Sequence, residues 1–396
     1  MPSFDWCGKP PTLTLAQNSE RIHNNDGDIV KKTALLAIPL SVLASTAMAQ
    51  SSVTLYGIID NGITYATNQG GGHSVQAVSG VVAGSRWGFT GSEDLGGGMK
   101  AIFTLENGFD GFSGQAGPGG REFGRQAFVG LSSNYGTLTL GRQYDLVVDY
   151  IQPLASNGRW GGWYFSHPED IDNTGSGFRV NNSVKYTSAN YSGLTFAGMY
   201  SFGGVPGQFS QNSVWSLGAG YTNGALQLAA AYLNVKNPAV AVDGYSNTSS
   251  FTNVIYGNYL AQATSQRVAA IGGAYAVGNF KALLNLSHTV FVSGDAGQDV
   301  AFNNVEIGAS YQFTPSFSLS GSYDFLDGKD HATDQKPKYH QFNLIADYLL
   351  SKRTDTYVMA VYQRAAGDAS QAQITGFSAA SGTGQLGLRA GLRHTF

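Results

Sequence analysis

The chain has 396 residues, of which 12% are charged, 12% are aromatic and 53 are glycine, with a formal net charge of −3. Soluble proteins carry ~25% charged residues, and so small a net charge gives no footprint for a nucleic-acid partner. Beyond the N-terminal leader no apolar run approaches the ~18 residues that a spanning helix requires, which leaves a soluble all-β protein or a membrane barrel.

The leader reads as an address. Lys31 and Lys32 precede the apolar run from Ala34 to Ala44, and Ala47-Met48-Ala49 closes it. A charged n-region, an h-region and an A-x-A site describe a secretory signal peptide. Residues 30–49 are therefore expected to be that peptide, with Ala47 and Ala49 forming the cleavage site and Gln50 the mature start. Residues 1–29 contain Pro10, Pro11, Asp26 and Asp28. They fit no signal peptide and read as an upstream extension from a mis-assigned start, with Val30 the expected initiator. The expected organisation is a leader over 1–49 and one barrel domain over 50–396. Cys7, the single cysteine, falls in the leader, so the mature chain would have neither a disulfide nor a thiolate metal site.

After the leader the hydrophobic period is two. Val53, Leu55, Ile59, Ile63 and Tyr65 share one parity, and Thr54, Asp60 and Thr64 the other. Trp87 and Phe89 alternate with Arg86 and Thr90, and Val184 and Tyr186 with Ser183 and Lys185. The last run is the cleanest: Leu386, Leu388, Ala390, Leu392, His394 and Phe396 against Gln385, Arg389, Arg393 and Thr395. Alternating runs of about ten residues, repeated along a chain, have the pattern of membrane barrel strands.

Between these runs the connections alternate in length. Seven are short, among them Asn223-Gly224, Gly278-Asn279 and Thr314-Pro315; Asn-Gly favours a hairpin because both turn positions tolerate positive φ. Eight are longer, at roughly 66–80, 108–122, 143–178, 203–212, 236–265, 293–302, 328–337 and 366–383. Seven short turns between eight long loops count out about 16 antiparallel strands, and closure into a barrel removes the sheet edges that lipid could not satisfy. The third loop is the longest without regular alternation. Its Trp160, Trp163 and Tyr164 argue for order, since disordered segments are poor in aromatics. It is expected to fold inward.

The runs SVTLYGIIDNG, SRWGFTGSEDLGGGMKAIFTLENGF, GREFGRQAFVGLSSNYGTLTLGRQYD and FRVNNSVKYTS, and the terminal GLRHTF, resemble the general-diffusion porins of Gram-negative bacteria, the beta-proteobacterial branch above all. The resemblance covers residues 50–396. It implies an all-β transmembrane antiparallel barrel of about 16 strands, a homotrimer, and an inward-folded third loop that narrows each pore. It further implies outer-membrane lipid and lipopolysaccharide as surroundings, the barrel-assembly machinery as a partner that reads Phe396, and ions and small hydrophilic solutes as cargo. No cofactor or metal is implied. In that family a basic cluster on the wall faces acids of the third loop. Arg86, Arg142 and Lys185 match the wall positions, with Arg125 and Arg179 as further candidates; Asp149, Glu169, Asp170 and Asp172 are the acids that the loop offers.

Parity supports Arg86 and Lys185. It is awkward for Arg142, in phase with Leu138 and Leu140, and for Arg125, in phase with Val129 and Leu131; a bulge near Gly141 would re-aim Arg142. A basic position of the first strand in enterobacterial relatives is Ile58 here. The expected function is passive diffusion through a charged constriction with a modest anion preference. A substrate-specific porin, with Trp160, Trp163 and Tyr164 lining the path, is the alternative; the other reading of these rings is as anchors of the loop. No H-x-x-x-H or G-x-S-x-G pattern is present, so hydrolase and metalloprotease signals are lacking and no enzyme is expected.

Overall fold

A computed structural model describes residues 51–241, 253–257, 259–295 and 297–396. The expected leader, with Ala47, Ala49 and Gln50, lies outside the described residues. The described chain forms one antiparallel sheet. Its wall runs in chain order: β1 (Ser52–Gln69), β2 (Arg86–Gly96), β3 (Met99–Phe109), β4 (Gln126–Ser133), β5 (Gly136–Gln143), β6 (Val180–Ser188), β7 (Leu194–Ser201) and β8 (Val214–Asn223). It continues through β9 (Leu226–Lys236), β10 (Ser265–Val277), β11 (Phe280–Val292), β12 (Val300–Thr314), β13 (Phe317–Asp330), β14 (Pro337–Leu349), β15 (Thr354–Gly367) and β16 (Gly384–Thr395). β16 pairs back onto β1, with Asp60 opposite Arg393 and Thr64 opposite Arg389. The sheet is thereby closed, as expected, with sixteen wall strands among the described residues. The terminal residue completes the seam: Phe396 N–H donates to the Gly57 carbonyl at 3.0 Å, and its carbonyl accepts from Gly57 N–H at 3.1 Å.

All seven expected short turns separate paired strands. The first expected long loop does not exist as such. β1 continues to Gln69, turns at Gly70-Gly71, and returns as Gly72–Ser79 along its own outer half. β2 then pairs with the lower half of β1. The glycine run that reads as a loop is a tight turn, because Gly70 and Gly71 both take positive φ at no steric cost.

Burial along the strands inverts the order of a soluble protein. The exposed phase is apolar: Val53, Leu55, Ile63, Leu284, Ile307, Leu344, Leu388 and Leu392 all lie on it. The buried phase is polar, with Asn285, Ser287, Glu306, Asp324, Gln341, Gln363 and Arg389. Burying such groups is costly unless each is hydrogen-bonded, whereas an exposed apolar band suits a lipid surround. On the buried phase, register sets Asn285, Glu306, Asp324, Gln341, Gln363 and Gln385 side by side across six strands.

Candidate functional site

The third loop, residues 144–179, consists of short helical turns: α1 (Leu146–Tyr150), then single turns at Gln152–Leu154, Asn157–Gly161, Gly162–Phe165 and Pro168–Asp170. Asp145 caps α1, accepting from Val147 N at 2.8 Å and holding Asn173 Nδ2 at 2.6 Å. Burial raises its carboxyl to about 6. Apolar residues of the loop, among them Val147, Ile151, Ile171 and Phe178, pack with wall residues such as Val214, Leu233 and Val268. Mixed helical turns explain why the segment follows neither a strand nor a helix period in sequence.

The polar belt of the wall receives the middle of this loop. Asn285 Nδ2 donates to the Leu154 carbonyl at 2.9 Å, Ser156 N to Glu306 Oε1 at 2.9 Å, and Gln341 Nε2 to the Ser166 carbonyl at 3.0 Å. His167 Nδ1 lies 2.7 Å from Asp172 Oδ2, which Ser287 also contacts. Burial opposes the His167 charge, but the Asp172 and Glu306 carboxylates overcome it and raise the imidazole well above its ordinary value. For Asp172, burial is likewise outweighed by His167, which holds the carboxyl down at about 2. On its other side the loop meets the turn before β2, where Trp163 N donates to the Val81 carbonyl at 2.6 Å. Tyr164 is buried edge-on against Phe377, with ring centroids 4.8 Å apart.

Four basic side chains, Arg86, Arg125, Arg179 and Lys185, converge at the start of the loop, around Tyr144 and Glu106. Arg125 Nε donates to Glu106 Oε1 at 2.8 Å and its Nη2 to the Tyr144 hydroxyl at 2.9 Å. Arg179 stacks 5.0 Å over the Tyr144 ring and reaches the same hydroxyl at 3.2 Å. Arg86 Nε is 3.9 Å from Glu106 Oε2. Lys185 Nζ donates to the Tyr144 carbonyl at 3.1 Å and to Asp149 Oδ2 at 2.7 Å. Arg142 donates to the Gly124 carbonyl at 2.8 Å and to Asn181 at 2.5 Å.

The structure thus brings four of the five basic positions named from sequence together around Tyr144 and Glu106, while Arg142 bonds to Gly124 and Asn181. Arg142 is turned inward at a register irregularity between Gly141 and Gln143, where Gly141 has φ +145°. Arg125 precedes the first residue of β4, so the parity of that strand does not govern it.

Of the four loop acids, Asp149 alone joins the cluster. Asp172 belongs to the anchor with His167. Asp170 binds the loop's own backbone, accepting from Gly175 N at 2.6 Å and Gly177 N at 2.7 Å; burial, then the Asp172 charge, raise it to about 8. Glu169 is buried, and burial with the neighbouring Asp170 raises it well above the carboxylate range. Both have positive φ.

Sequence reasoning missed Glu106, Tyr144, the anchoring belt and a second buried pair. That pair is Arg389 and Asp60 at 3.5 Å, joined by Tyr357, with Asp60 Oδ2 accepting from Val82 N and Ala83 N. Inward parity of Asp60 and Arg389 was the available signal.

A closed sheet with an apolar outer phase, a polar inner phase and charged side chains on that inner phase defines a membrane-spanning barrel channel. The chain belongs to the Gram-negative porin family, whose model matches residues 33–368. It is 31% identical over 386 residues to outer membrane porin protein 32 of Delftia acidovorans, covering 92% of this chain and 100% of that one. An outer membrane porin protein of Bordetella pertussis is 29% identical over 379 residues, covering 85% and 94% respectively. The solved structure of the anion-selective porin from Comamonas acidovorans superposes with a TM-score of 0.71 at 27% identity, covering 88% of this chain and 100% of that one. The chain is therefore an outer-membrane β-barrel for passive diffusion and a channel protein, not an enzyme.

Proposed function

We propose that the third loop narrows the pore from inside and that the basic cluster beside it forms a charged constriction with a modest anion preference. The observation that carries this reading is charge balance. Among the described residues, Arg86, Arg125 and Lys185 pair with Glu106 and Asp149, while Arg179 leans on the neutral Tyr144. Four positive charges against two negative ones leave a formal excess of two, with Arg142 left out of the count. Asp170 and Asp172 are spent on the loop's backbone and its anchor. In a narrow, water-filled passage with low-dielectric walls such an excess concentrates counter-ions of the opposite sign. The relative from Comamonas acidovorans is described as anion-selective, which agrees in sign. Tyr164 is held by Phe377, and Trp160 and Trp163 pack against the same cluster; this favours loop anchoring and general diffusion over an aromatic solute path. The reversal potential in a salt gradient tests the preference: a value on the cation side overturns it.

The same reading takes residues 30–49 as a signal peptide and 50–396 as the exported barrel. It further places three copies together through the outward faces of β1 to β5, where Val53, Leu55, Val129 and Leu131 are exposed. Lipid and lipopolysaccharide surround the remaining face, and the assembly machinery reads Phe396.

A further inference from the structure

The anchor of the third loop contains a group that diffusion through the pore does not require. His167 on the loop, Glu306 on β12 and Asp324 on β13 each bring one donor atom to within 4.8 Å of the others, and all three residues are buried. His167 Nε2 lies 3.4 Å from Glu306 Oε2 and 3.6 Å from Asp324 Oδ1. Charge-assisted hydrogen bonds are shorter, about 2.7–2.9 Å. Nitrogen and oxygen ligands about 2.1 Å from a tetrahedral metal are separated by about 3.4 Å, close to the two separations from His167 Nε2.

The surrounding contacts orient these donors. The Nδ1 of His167 is engaged by Asp172 Oδ2 at 2.7 Å, so its Nε2 is turned toward the two wall carboxylates. A carboxylate behind a histidine in this way fixes the ring and raises its basicity as a ligand. Glu306 Oε2 accepts from Asn285 Nδ2 at 2.8 Å, and Asp324 Oδ2 from Asn343 Nδ2 at 2.8 Å. Independently, Asp324 Oδ1, which faces the histidine, accepts no hydrogen bond among the described residues although the side chain is 0% exposed. A buried carboxylate oxygen left in this state is costly unless a proton or a cation takes it.

We propose that His167, Glu306 and Asp324 form a binding site for a divalent transition-metal ion that pins the third loop to the barrel wall. One imidazole and two carboxylates suit zinc, with a water completing the tetrahedron. Calcium and magnesium prefer six or more oxygens. The ion replaces the proton on His167 Nε2, so binding weakens as pH falls. No motif announces the site, because its ligands come from positions 167, 306 and 324.

The test uses the full-length porin refolded in detergent with and without zinc sulfate, then desalted. Mass spectrometry of metal content should give about one retained zinc per chain. Anomalous diffraction at the zinc edge should place the ion between the three side chains. Glu306→Gln should weaken retention at least tenfold. Asp172→Asn, which acts through His167, should weaken it by about 10–100-fold. Should Glu306→Gln not fold, the position of the ion in the wild type decides alone. Zinc at an exposed histidine such as His73 or His331, no retained zinc, or a content unchanged in folded Glu306→Gln overturns the proposal. None of the three ligands belongs to the basic cluster, so this outcome is independent of ion selectivity.

Discussion

Replacing Arg86 and Lys185 by glutamine tests the constriction most directly. Both belong to the basic cluster, and the Arg86 side chain is 25% exposed. The double substitution removes two positive charges and leaves Asp149 without its partner, so the formal excess falls by two. A unit charge about 7 Å from a permeating ion contributes about 0.6 kcal/mol in a water-filled passage. It acts with opposite sign on anion and cation, so each removed charge shifts their relative stabilisation by about 1.2 kcal/mol, and two by about 2.4 kcal/mol. Screening at ~0.1 M salt, where the Debye length is ~10 Å, reduces this by about half. The anion-to-cation permeability ratio should therefore fall roughly eightfold. The assay is the reversal potential of single channels across a salt gradient, repeated at ~1 M salt, where the shift should shrink. Lys338→Gln, on an exposed pair with Asp327 at 3.5 Å, is the control and should shift it little. An unchanged reversal potential in a folded double variant would refute the reasoning, because charges that line the narrow point cannot be removed silently.

Further outcomes are expected. Deleting Phe396 removes two backbone hydrogen bonds of the closing seam and should lower the folded, heat-modifiable fraction without affecting export; a normal folded yield would count against it. Gly162 has φ +60° and ψ −142°, and a Cβ there would meet the Val81 carbonyl. Gly162→Ala should cost at least about 1–3 kcal/mol and speed hydrogen exchange of the Trp163 amide; unchanged exchange would refute this. Asp145, raised to about 6 by burial, holds its proton more tightly folded than unfolded. Its stabilising contribution is complete below the ordinary carboxylate range, near ~4, and is lost as pH rises through about 6. Exchange at Val147 and Val148 should quicken across that window in the wild type, and the pH dependence should flatten in Asp145→Asn. Native mass in mild detergent should correspond to three chains, and a monomer mass would exclude the assembly.

Much of the wall was legible from the sequence. A period of two in β16 states which residues face one way, and Leu388, Ala390 and Leu392 lie exposed as that period requires. The turns were legible because Asn223-Gly224 and Gly278-Asn279 carry their own backbone preference. Where a local device broke the period, parity misled: Arg142 shares phase with lipid-facing Leu140 yet is turned inward at Gly141. The Gly70-Gly71-Gly72 run was equally ambiguous, since glycine permits a long loop and a tight turn alike.

Only the tertiary structure decided which inward side chains meet. Alternation assigns a residue to a face, but not to a neighbour; neighbours follow from register and from the path of the third loop. Glu106 meets Arg125, and Asp60 meets Arg389, across separations in sequence that no local pattern encodes. The loop acids show the same limit. Asp149, Asp170 and Asp172 are equivalent as charges in the sequence, yet one pairs with Lys185, one binds its own backbone and one anchors His167. The sequence by itself determined a closed, strand-built wall with a lipid-facing phase, because that rests on local periodicity and turn chemistry. The distribution of charge inside it depends on which groups are desolvated together, and that exists only once the strands and the loop are in place.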